Sequence, residues 1–397
     1  MDTQTAEAEH GSVPSEPETT PPCPHRPPCP GCPRYGAREL PEDALTALGS
    51  LARESGLPWP IVQSGAALEY RHRSRLAVRG RASSPKVGIF AAGTHRIVDI
   101  PRCGIHHPRI NHVARLLRAC IRETGTRPYA DSTHAGVVRY AQIVVERESE
   151  RAQLVVVTND VTPDRARPLL DALASRGEDA LQGLWWNGQP ARSNTILGPH
   201  WEHIAGAEAT RDRLGGIDVY TPPGAFGQAN LPLFSELAAR VRSLVQPGCR
   251  VVEAYAGCGA IGLPLLPRVA ALTLHERAPH ALRGLALGLA ERPASERARA
   301  TVLGGDAAAD DRLVAACAAA DVVVVDPPRR GVDEALLAQL ERQPPARLIY
   351  VSCGLGSFVA QTERLLASGR VRLTGLEAWA LFPHTSHVET LAVLDRV

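Results

Sequence analysis

The segment Arg250-Val-Val-Glu-Ala-Tyr-Ala-Gly-Cys-Gly-Ala-Ile-Gly262 gives the clearest indication of how the second half of the chain folds. Residues 250–254 are typical of a short apolar strand, and the glycines after them predict a tight turn that leads into a helix. Gly257 and Gly259 let the backbone approach a ligand closely, and a helix N-terminus offers free N–H groups. The glycine spacing also fits the G-x-G-x-x-G nucleotide-binding fingerprint, although a turn without a ligand explains it too.

Strands and helices alternate on both sides of this turn. A helix is predicted over Leu233–Leu244, with Pro232 at its start. Further apolar strands are predicted over Ala270–Glu276, Ala300–Leu303, Asp321–Val325 and Arg347–Ser352. This alternation predicts a parallel sheet wrapped by helices, which is a Rossmann-like α/β domain. Two strands within residues 373–397 predict a hairpin at the edge of the sheet.

Length and composition suggest two domains after a tail. The chain has 397 residues, and residues 1–22 are rich in Pro, Ser, Thr and Glu, which predicts a disordered tail. Residues 23–210 contain short strands and helices and predict a smaller α+β domain. A Gly-rich stretch before Ile217 separates it from the α/β domain, residues 211–397.

The charge and hydropathy of the chain exclude some classes of protein. The net charge is +2, so any nucleic-acid binding must use local patches. There is no apolar run of about 18 residues and no basic, apolar signal peptide at the start. We therefore expect a cytoplasmic protein that does not cross a membrane.

Three acids follow successive strands of the α/β domain. Glu276 and Asp306 stand where acids bind the ribose and the adenine of a cofactor, and the ribose contact suits NAD and S-adenosylmethionine equally. Taken alone, both acids are as readily explained as solvated loop residues. The next strand ends in Val325-Asp-Pro-Pro-Arg-Arg-Gly331, where two prolines make Asp326 a stiff acid at the ligand-binding edge. This arrangement favours a nucleobase methyltransferase over a dehydrogenase. Arg329 stands where methyltransferases of exocyclic amines have an aromatic residue, which argues against that reaction.

A cysteine and a carboxylate complete a candidate reaction centre. Cys353 ends the strand Leu348-Ile-Tyr-Val-Ser-Cys353 at the same sheet edge as Asp326, although a buried core cysteine is an equal alternative on position alone. A thiolate that adds to C6 of uracil activates C5 for methylation, and a base must then remove the C5 proton. Glu389, which opens the last strand near His384 and His387, is a candidate for this base.

The motifs of this chain resemble those of the RNA uracil-5-methyltransferase family, in the same order. They are Phe226-Gly-Gln-Ala-Asn230, the Gly257/Gly259 turn, Asp326-Pro-Pro-Arg329, Tyr350-Val-Ser-Cys353 and Phe382-Pro-His-Thr-Ser-His-Val-Glu389.

The resemblance implies a class I methyltransferase domain with Cys353 as the nucleophile and Glu389 as the base. It implies an S-adenosylmethionine site formed by Gln228, Tyr255, Gly257, Gly259, Glu276, Asp306 and Asp326. The chain departs from the family pattern at Gly354-Leu355, which follow the cysteine where members often have Asn-Pro. It also departs at Glu253, Ala260 and Ala380.

Cys23, Cys29, Cys32 and Cys103 form a candidate metal site. Four thiolates suit zinc or an iron–sulfur cluster, and a distant fourth cysteine fits a cluster better than paired zinc knuckles do. The resemblance points the same way, because many members carry a [4Fe-4S] cluster on this spacing. Zinc and unliganded cysteines stay open as alternatives.

RNA is the expected partner. Arg71, Arg73 and Arg75 lie on one face of a strand predicted over Tyr70–Val78, where they are placed to hold phosphates. The cluster favours 23S ribosomal RNA as the target, and transfer RNA is the alternative. Methylation of another RNA base, a non-catalytic iron–sulfur RNA-binding paralogue and a nicotinamide-dependent oxidoreductase are the other interpretations. A monomer is expected.

Overall fold

The computed structural model describes residues 20–37 and 39–397. Residues 1–19, which are most of the predicted disordered tail, and Arg38 lie outside the described residues. In the described ranges, no helix has the length and apolar character needed to cross a membrane.

The elements are numbered in chain order. The strands are β1 Ile61–Gln63, β2 Arg73–Arg81, β3 Ser84–Phe90, β4 Ile97–Asp99, β5 Val138–Val145, β6 Ala152–Thr158, β7 Leu181–Gly188, β8 His200–Gly206, β9 Thr210–Leu214, β10 Ile217–Thr221, β11 Arg250–Ala254, β12 Ala271–Glu276, β13 Ala300–Gly304, β14 Val322–Val325, β15 Arg347–Ser352, β16 Val371–Trp379 and β17 Glu389–Arg396. The helices are α1 Glu42–Glu54, α2 Pro108–Thr124, α3 Arg167–Arg176, α4 Leu231–Leu244, α5 Pro279–Ala290, α6 Ala294–Arg297, α7 Asp311–Ala319, α8 Glu334–Arg342 and α9 Leu355–Ala367, with 3₁₀ turns at Asp164–Ala166 and Leu263–Leu265.

The second half of the chain forms an eight-stranded sheet in the order β1-β16-β17-β15-β14-β11-β12-β13. The five strands from β15 to β13 run parallel, and β17 is antiparallel to β15. The predicted parallel sheet is therefore confirmed. Apolar strands such as the Val322–Val325 run are buried because helices cover both faces. The predicted hairpin is β16–β17, but β1 and not the hairpin forms that edge of the sheet.

The first half contains a seven-stranded sheet in the order β4-β3-β2-β5-β6-β7-β8. Helices α2 and α3 cover one face of it, where Leu117, Ile121 and Leu169 are buried. The antiparallel pair β9–β10 follows the sheet, so the predicted boundary near residue 210 falls at this hairpin. The boundaries themselves remain a prediction.

An early segment of the chain joins the second sheet. Helix α1 begins with Glu42 and Asp43, which suit the positive end of a helix dipole, and it buries Leu48 and Leu51. Both leucines belong to the core beneath the eight-stranded sheet. Strand β1 then pairs in parallel with β16. Residues 42–63, which lie within the predicted first domain, thus pack with the α/β domain.

The glycine turn after β11 does not lead into an α-helix, so that prediction was wrong. Residues 256–262 form turns, and a short 3₁₀ turn follows. Pro264 and Pro267 explain this, because proline lacks an N–H donor and its ring clashes with the preceding helical turn. The N–H groups of Gly257 and Gly259 in this turn donate to Glu276 and to the carbonyl oxygen of Ala256.

Candidate active site

A cavity of about 490 Å³ opens at the carboxyl ends of the central parallel strands. It brings together every predicted cofactor-binding and catalytic residue except Gly259: Gln228, Tyr255, Gly257, Glu276, Asp306, Asp326, Cys353 and Glu389. Ligands of open α/β sheets bind at this edge. The topology, which places β11 between β12 and β14, explains why residues far apart in sequence meet here.

The glycine turn and Glu276 hold each other in place. Gly257 has a φ of +56°, and its N–H donates a 2.9 Å hydrogen bond to Oε2 of Glu276. The other oxygen of Glu276 accepts from the N–H groups of Arg277 and Ala278, at 2.8 and 2.7 Å. Gly259 shapes the turn without lining the cavity, since a Cβ there would overlap Leu263 and Leu285.

Two of the residues that line the cavity form an ion pair. Arg277 lies 3.2 Å from Asp306, and the N–H of Ala308 and then this guanidinium lower the pKa of Asp306. Arg277 and Glu253 also line the cavity, although neither was among the predicted site residues. The signal for Arg277 was its place directly after the acid that ends β12. Glu253 is buried, and burial and then Asp326 raise its pKa well above the usual range.

Cys353 lies between the end of β15 and the start of α9. Its thiol is half-buried, and burial, Glu389 and Asp326 raise its pKa to about 11, while Arg329 acts in the opposite direction. Gly354 is the N-cap residue of α9. Cys353 thus directly precedes the positive end of a helix dipole, a position that favours a thiolate.

Two carboxyl groups accompany this thiol. Glu389 is 1% exposed, and within the described residues neither of its oxygens has a hydrogen-bond partner. Burial and then Asp326 raise the pKa of Glu389 well above the usual range. Burial raises the pKa of Asp326 to about 7. A raised pKa makes a carboxylate a stronger proton acceptor, which suits a general base once the group is ionised.

Gly354 explains one departure from the family pattern. A Cβ at this position would collide with the carbonyl oxygen of Arg329 and lie 2.9 Å from Oγ of Ser357. The Ser357 hydroxyl donates to the same carbonyl at 2.8 Å. The backbone of Arg329 therefore lies directly against the start of α9, beside the thiol.

The four predicted metal-binding cysteines line a second cavity, of about 450 Å³. Burial and then the thiols of Cys103, Cys29 and Cys23 raise the pKa of Cys32 to about 11, so the four sulfurs are close enough to influence one another. Among residues 20–37 and 39–397, no three His, Cys, Asp or Glu side chains form a group that could hold a single metal ion. A [4Fe-4S] cluster would need a wider arrangement than a single ion, because its thiolate ligands would bind separate irons.

The predicted row of phosphate-binding arginines is only partly available. Arg73 is buried and donates to the carbonyl oxygens of Ala225, at 2.8 Å, and Gly227. It therefore joins β2 to the loop of Gln228 and cannot also hold a phosphate. Arg75 is exposed, and Arg71 lies over the ring of Phe382 at 5.9 Å.

The two cavities share a wall. Phe226, Gly227 and Gln228 line both of them, and Phe226 is 72% exposed. Phe382, from the loop before Glu389, also lines the cysteine cavity. The first and last motifs of the family pattern, those of Phe226 and Phe382, therefore lie beside the cysteine cavity, and the first also lines the reaction cavity.

The fold and the cavity define the class of protein. The chain superposes with a TM-score of 0.73 on the crystal structure of Pyrococcus abyssi tRNA (uracil-54, C5)-methyltransferase in complex with S-adenosyl-L-homocysteine, at 22% identity over 92% of this chain and 85% of that one. At this identity the likeness establishes the fold, which is the Rossmann-like fold of S-adenosylmethionine-dependent methyltransferases.

Sequence relatives identify the family. A family model described as tRNA (Uracil-5-)-methyltransferase matches residues 314–397. The chain is 33% identical over 343 residues to an uncharacterised RNA methyltransferase of Protochlamydia amoebophila, covering 85% of this chain and 88% of the relative. It is 27% identical to another from Halalkalibacterium halodurans, covering 94% and 83%. The chain belongs to the RNA uracil-5-methyltransferase family and is an S-adenosylmethionine-dependent RNA methyltransferase.

Proposed function

We propose that the protein methylates carbon 5 of a uridine in RNA, with Cys353 as the nucleophile and Glu389 as the base. One observation carries this proposal: the thiol and the buried carboxyl share a single cavity with the acids of the cofactor site. Neither group has an evident structural role. A buried carboxyl that finds no hydrogen-bond partner in the described residues is costly, and it fits a group that awaits a substrate.

Each residue of the cavity has a separate role in the proposed reaction. Tyr255, Gly257, Glu276, Asp306 and Gln228 would surround the cofactor, which supplies an electrophilic methyl group when bound. Cys353 releases its proton to solvent and its thiolate sulfur bonds to C6 of uracil, which moves the electron pair of the C5=C6 bond toward O4. C5 then takes the methyl group, whose bond to the donor sulfur breaks, and the demethylated cofactor is the leaving group. Glu389 removes the C5 proton, the C5=C6 double bond re-forms, the C6–S bond breaks and the thiolate leaves. Asp326 is placed to orient the uracil.

Labelled S-adenosylmethionine and RNA test this mechanism. We expect Cys353→Ala to abolish methyl transfer and the covalent RNA adduct. Glu389→Gln should accumulate the adduct, because the C5 proton stays in place. Cys249→Ala, at a half-exposed cysteine outside both cavities, is the control and should retain activity. Full activity in the Cys353→Ala variant would refute the mechanism.

We propose 23S ribosomal RNA as the target, on the basis of the cysteine site. Transfer RNA is the second candidate, because the matching family model is described as a tRNA methyltransferase and the Pyrococcus abyssi enzyme of the same fold acts on tRNA. Mapping 5-methyluridine in both RNAs from cells with and without the gene separates them. A site that disappears from one RNA identifies the target.

We infer that Cys23, Cys29, Cys32 and Cys103 hold a [4Fe-4S] cluster. The donor set fits, because four thiols line one cavity. Burial raises the pKa of Cys32 and of Cys103, and a bound metal would favour their thiolates. Anaerobic reconstitution should give about four irons and four sulfides per chain and a broad visible absorption band. Cys29→Ser should lose both, and Cys249→Ser should keep them. Stoichiometric zinc without sulfide would contradict the cluster.

A further inference from the structure

We propose that His387 is a positioning residue that holds the guanidinium of Arg329 in the cavity shared with Cys353 and so controls how readily this thiol reacts. The inference rests on the proposed function, in which Cys353 is the nucleophile. His387 belongs to the loop between β16 and β17 and does not line the reaction cavity. It acts through Arg329, which does.

The guanidinium of Arg329 lies against the imidazole of His387. Its Nη2 atom is 3.4 Å from Nδ1 and 3.3 Å from Nε2 of the ring. Arginine has only donors, so the imidazole must supply a lone pair, and only the neutral ring has one. The nearly equal distances allow either tautomer to accept. The other end of Arg329 is held by Ser357, which donates to its carbonyl oxygen.

His387 is itself held in place. Its backbone N–H donates to Oγ1 of Thr385 at 3.2 Å, and its ring meets the Phe382 ring edge-on, with centroids 6.0 Å apart. Arg71 lies over that same phenyl ring. The charged groups that face His387 are thus two guanidinium groups, those of Arg329 and Arg71. Burial and then these two cations lower the pKa of His387, which keeps the ring neutral at physiological pH.

The position of Arg329 matters because of the charges around the thiol. Two carboxyl groups and burial oppose ionisation of Cys353, and Arg329 is the side chain whose charge favours the thiolate. The same guanidinium lowers the pKa of Glu389. If His387 lost its lone pair, the guanidinium would turn toward solvent. The pKa of Cys353 would then rise and the fraction of thiolate would fall.

Alkylation of Cys353 without RNA tests this directly. The rate at which iodoacetamide labels the Cys353 peptide is followed by mass spectrometry as a function of pH. His387→Leu removes the acceptor, His387→Asn keeps an amide oxygen, and His200→Leu is a control at an exposed histidine of β8. We expect His387→Leu to lower the labelling rate at pH 8 about tenfold. This is the size of effect expected from the loss of one hydrogen bond to a charged group. The other two variants should match the wild type.

Steady-state kinetics supply the second readout. His387→Leu should lower kcat about tenfold with the KM for S-adenosylmethionine unchanged, since His387 does not line the cavity that contains the cofactor acids. Below the lowered pKa of His387, protonation of the ring should release Arg329. We therefore expect kcat to fall on the acid side of its pH profile. His387→Asn does not titrate there and should remove that fall.

Two results would overturn the positioning role: a His387→Leu variant with the wild-type labelling profile and kcat, or, if that variant does not fold, an acid-side fall of kcat that is unchanged in His387→Asn. Both differ from a failure of the proposed function, in which Cys353→Ala would still transfer methyl groups.

Discussion

At the scale of single residues, Asp326 has two opposite effects on Cys353. Its carboxylate lines the cavity that is proposed to receive the uracil, yet its charge raises the pKa of the thiol. The pKa of Asp326 is about 7, so the carboxylate is ionised at pH 8. We expect Asp326→Asn to lower the thiol pKa and to speed alkylation of Cys353 at pH 8 about tenfold, while methyl transfer falls.

The control for this experiment is Asp321→Asn. Asp321 lies just before β14, at the opposite end of that strand, where it pairs with Arg250. The control should change neither the alkylation rate nor methyl transfer. Slower labelling of Cys353 in Asp326→Asn would show that this carboxylate favours the thiolate, contrary to the effect expected of a negative charge beside it.

Gly354 and Gly356 offer a matched pair of substitutions. A Cβ at Gly354 would press on the carbonyl oxygen of Arg329, whereas one at Gly356 has nothing within 4 Å. We expect Gly354→Ala to lower the free energy of unfolding by about 1–3 kcal/mol through overpacking and to reduce kcat. Gly356→Ala should stabilise the protein by about 0.4–1 kcal/mol, because alanine in the first turn of α9 loses less backbone freedom on folding than glycine does. Urea denaturation measures both, and equal midpoints would contradict the steric account.

At the scale of elements, we expect the turn after β11 to contact the cofactor through its backbone. Gly257 lines the cavity with a positive φ, and Gly248, in the turn before β11, also has a positive φ and open space beside it. Alanine at either position should cost about 1–2 kcal/mol of stability through left-handed strain. Only Gly257→Ala should weaken S-adenosylmethionine binding in calorimetry. An equal loss of affinity in Gly248→Ala would mean that strain alone, and not the cavity, is responsible.

Local sequence predicts most of the second domain. The strands Arg250–Ala254 and Arg347–Ser352 have the predicted bounds, because buried parallel strands are short, apolar and enclosed by turns. Asp326 and Cys353 were predicted to lie at one sheet edge because each follows a parallel strand, and both line one cavity. The helix predicted after Gly262 failed at Pro264 and Pro267. The bonds of Arg73 to a loop about 150 residues away are set by tertiary packing, which periodicity does not report.

At the scale of the whole molecule, the two halves of the chain are joined at the site itself. Arg73 bonds to the loop that carries Phe226 and Gln228. On the other side, the N–H groups of Arg34 and Gly36, close to Cys32, donate to the carbonyl oxygen and to Nδ1 of His384. Both loops of the methyltransferase pattern therefore depend on the first half of the chain for their position.

The core of the methyltransferase domain also depends on residues from the start of the chain, which makes a prediction about fragments. A fragment of residues 211–397 lacks α1 and β1, and with them the buried Leu48 and Leu51. Burial of one leucine contributes about 1.5–3 kcal/mol, so we expect the fragment to lose at least about 3–6 kcal/mol of stability. That loss is comparable to the whole stability of many domains.

Circular dichroism in urea, with the intact chain for comparison, measures this loss. Leu48→Ala in the intact chain should cost about 2–5 kcal/mol, because it leaves a cavity under the sheet, and Thr46→Ala at an exposed position of α1 is the control. Fusing residues 40–65 to the fragment through a flexible linker should restore much of the lost stability. A fragment that unfolds at the same urea concentration as the intact protein would show that the eight-stranded sheet is stable without its first strand and helix.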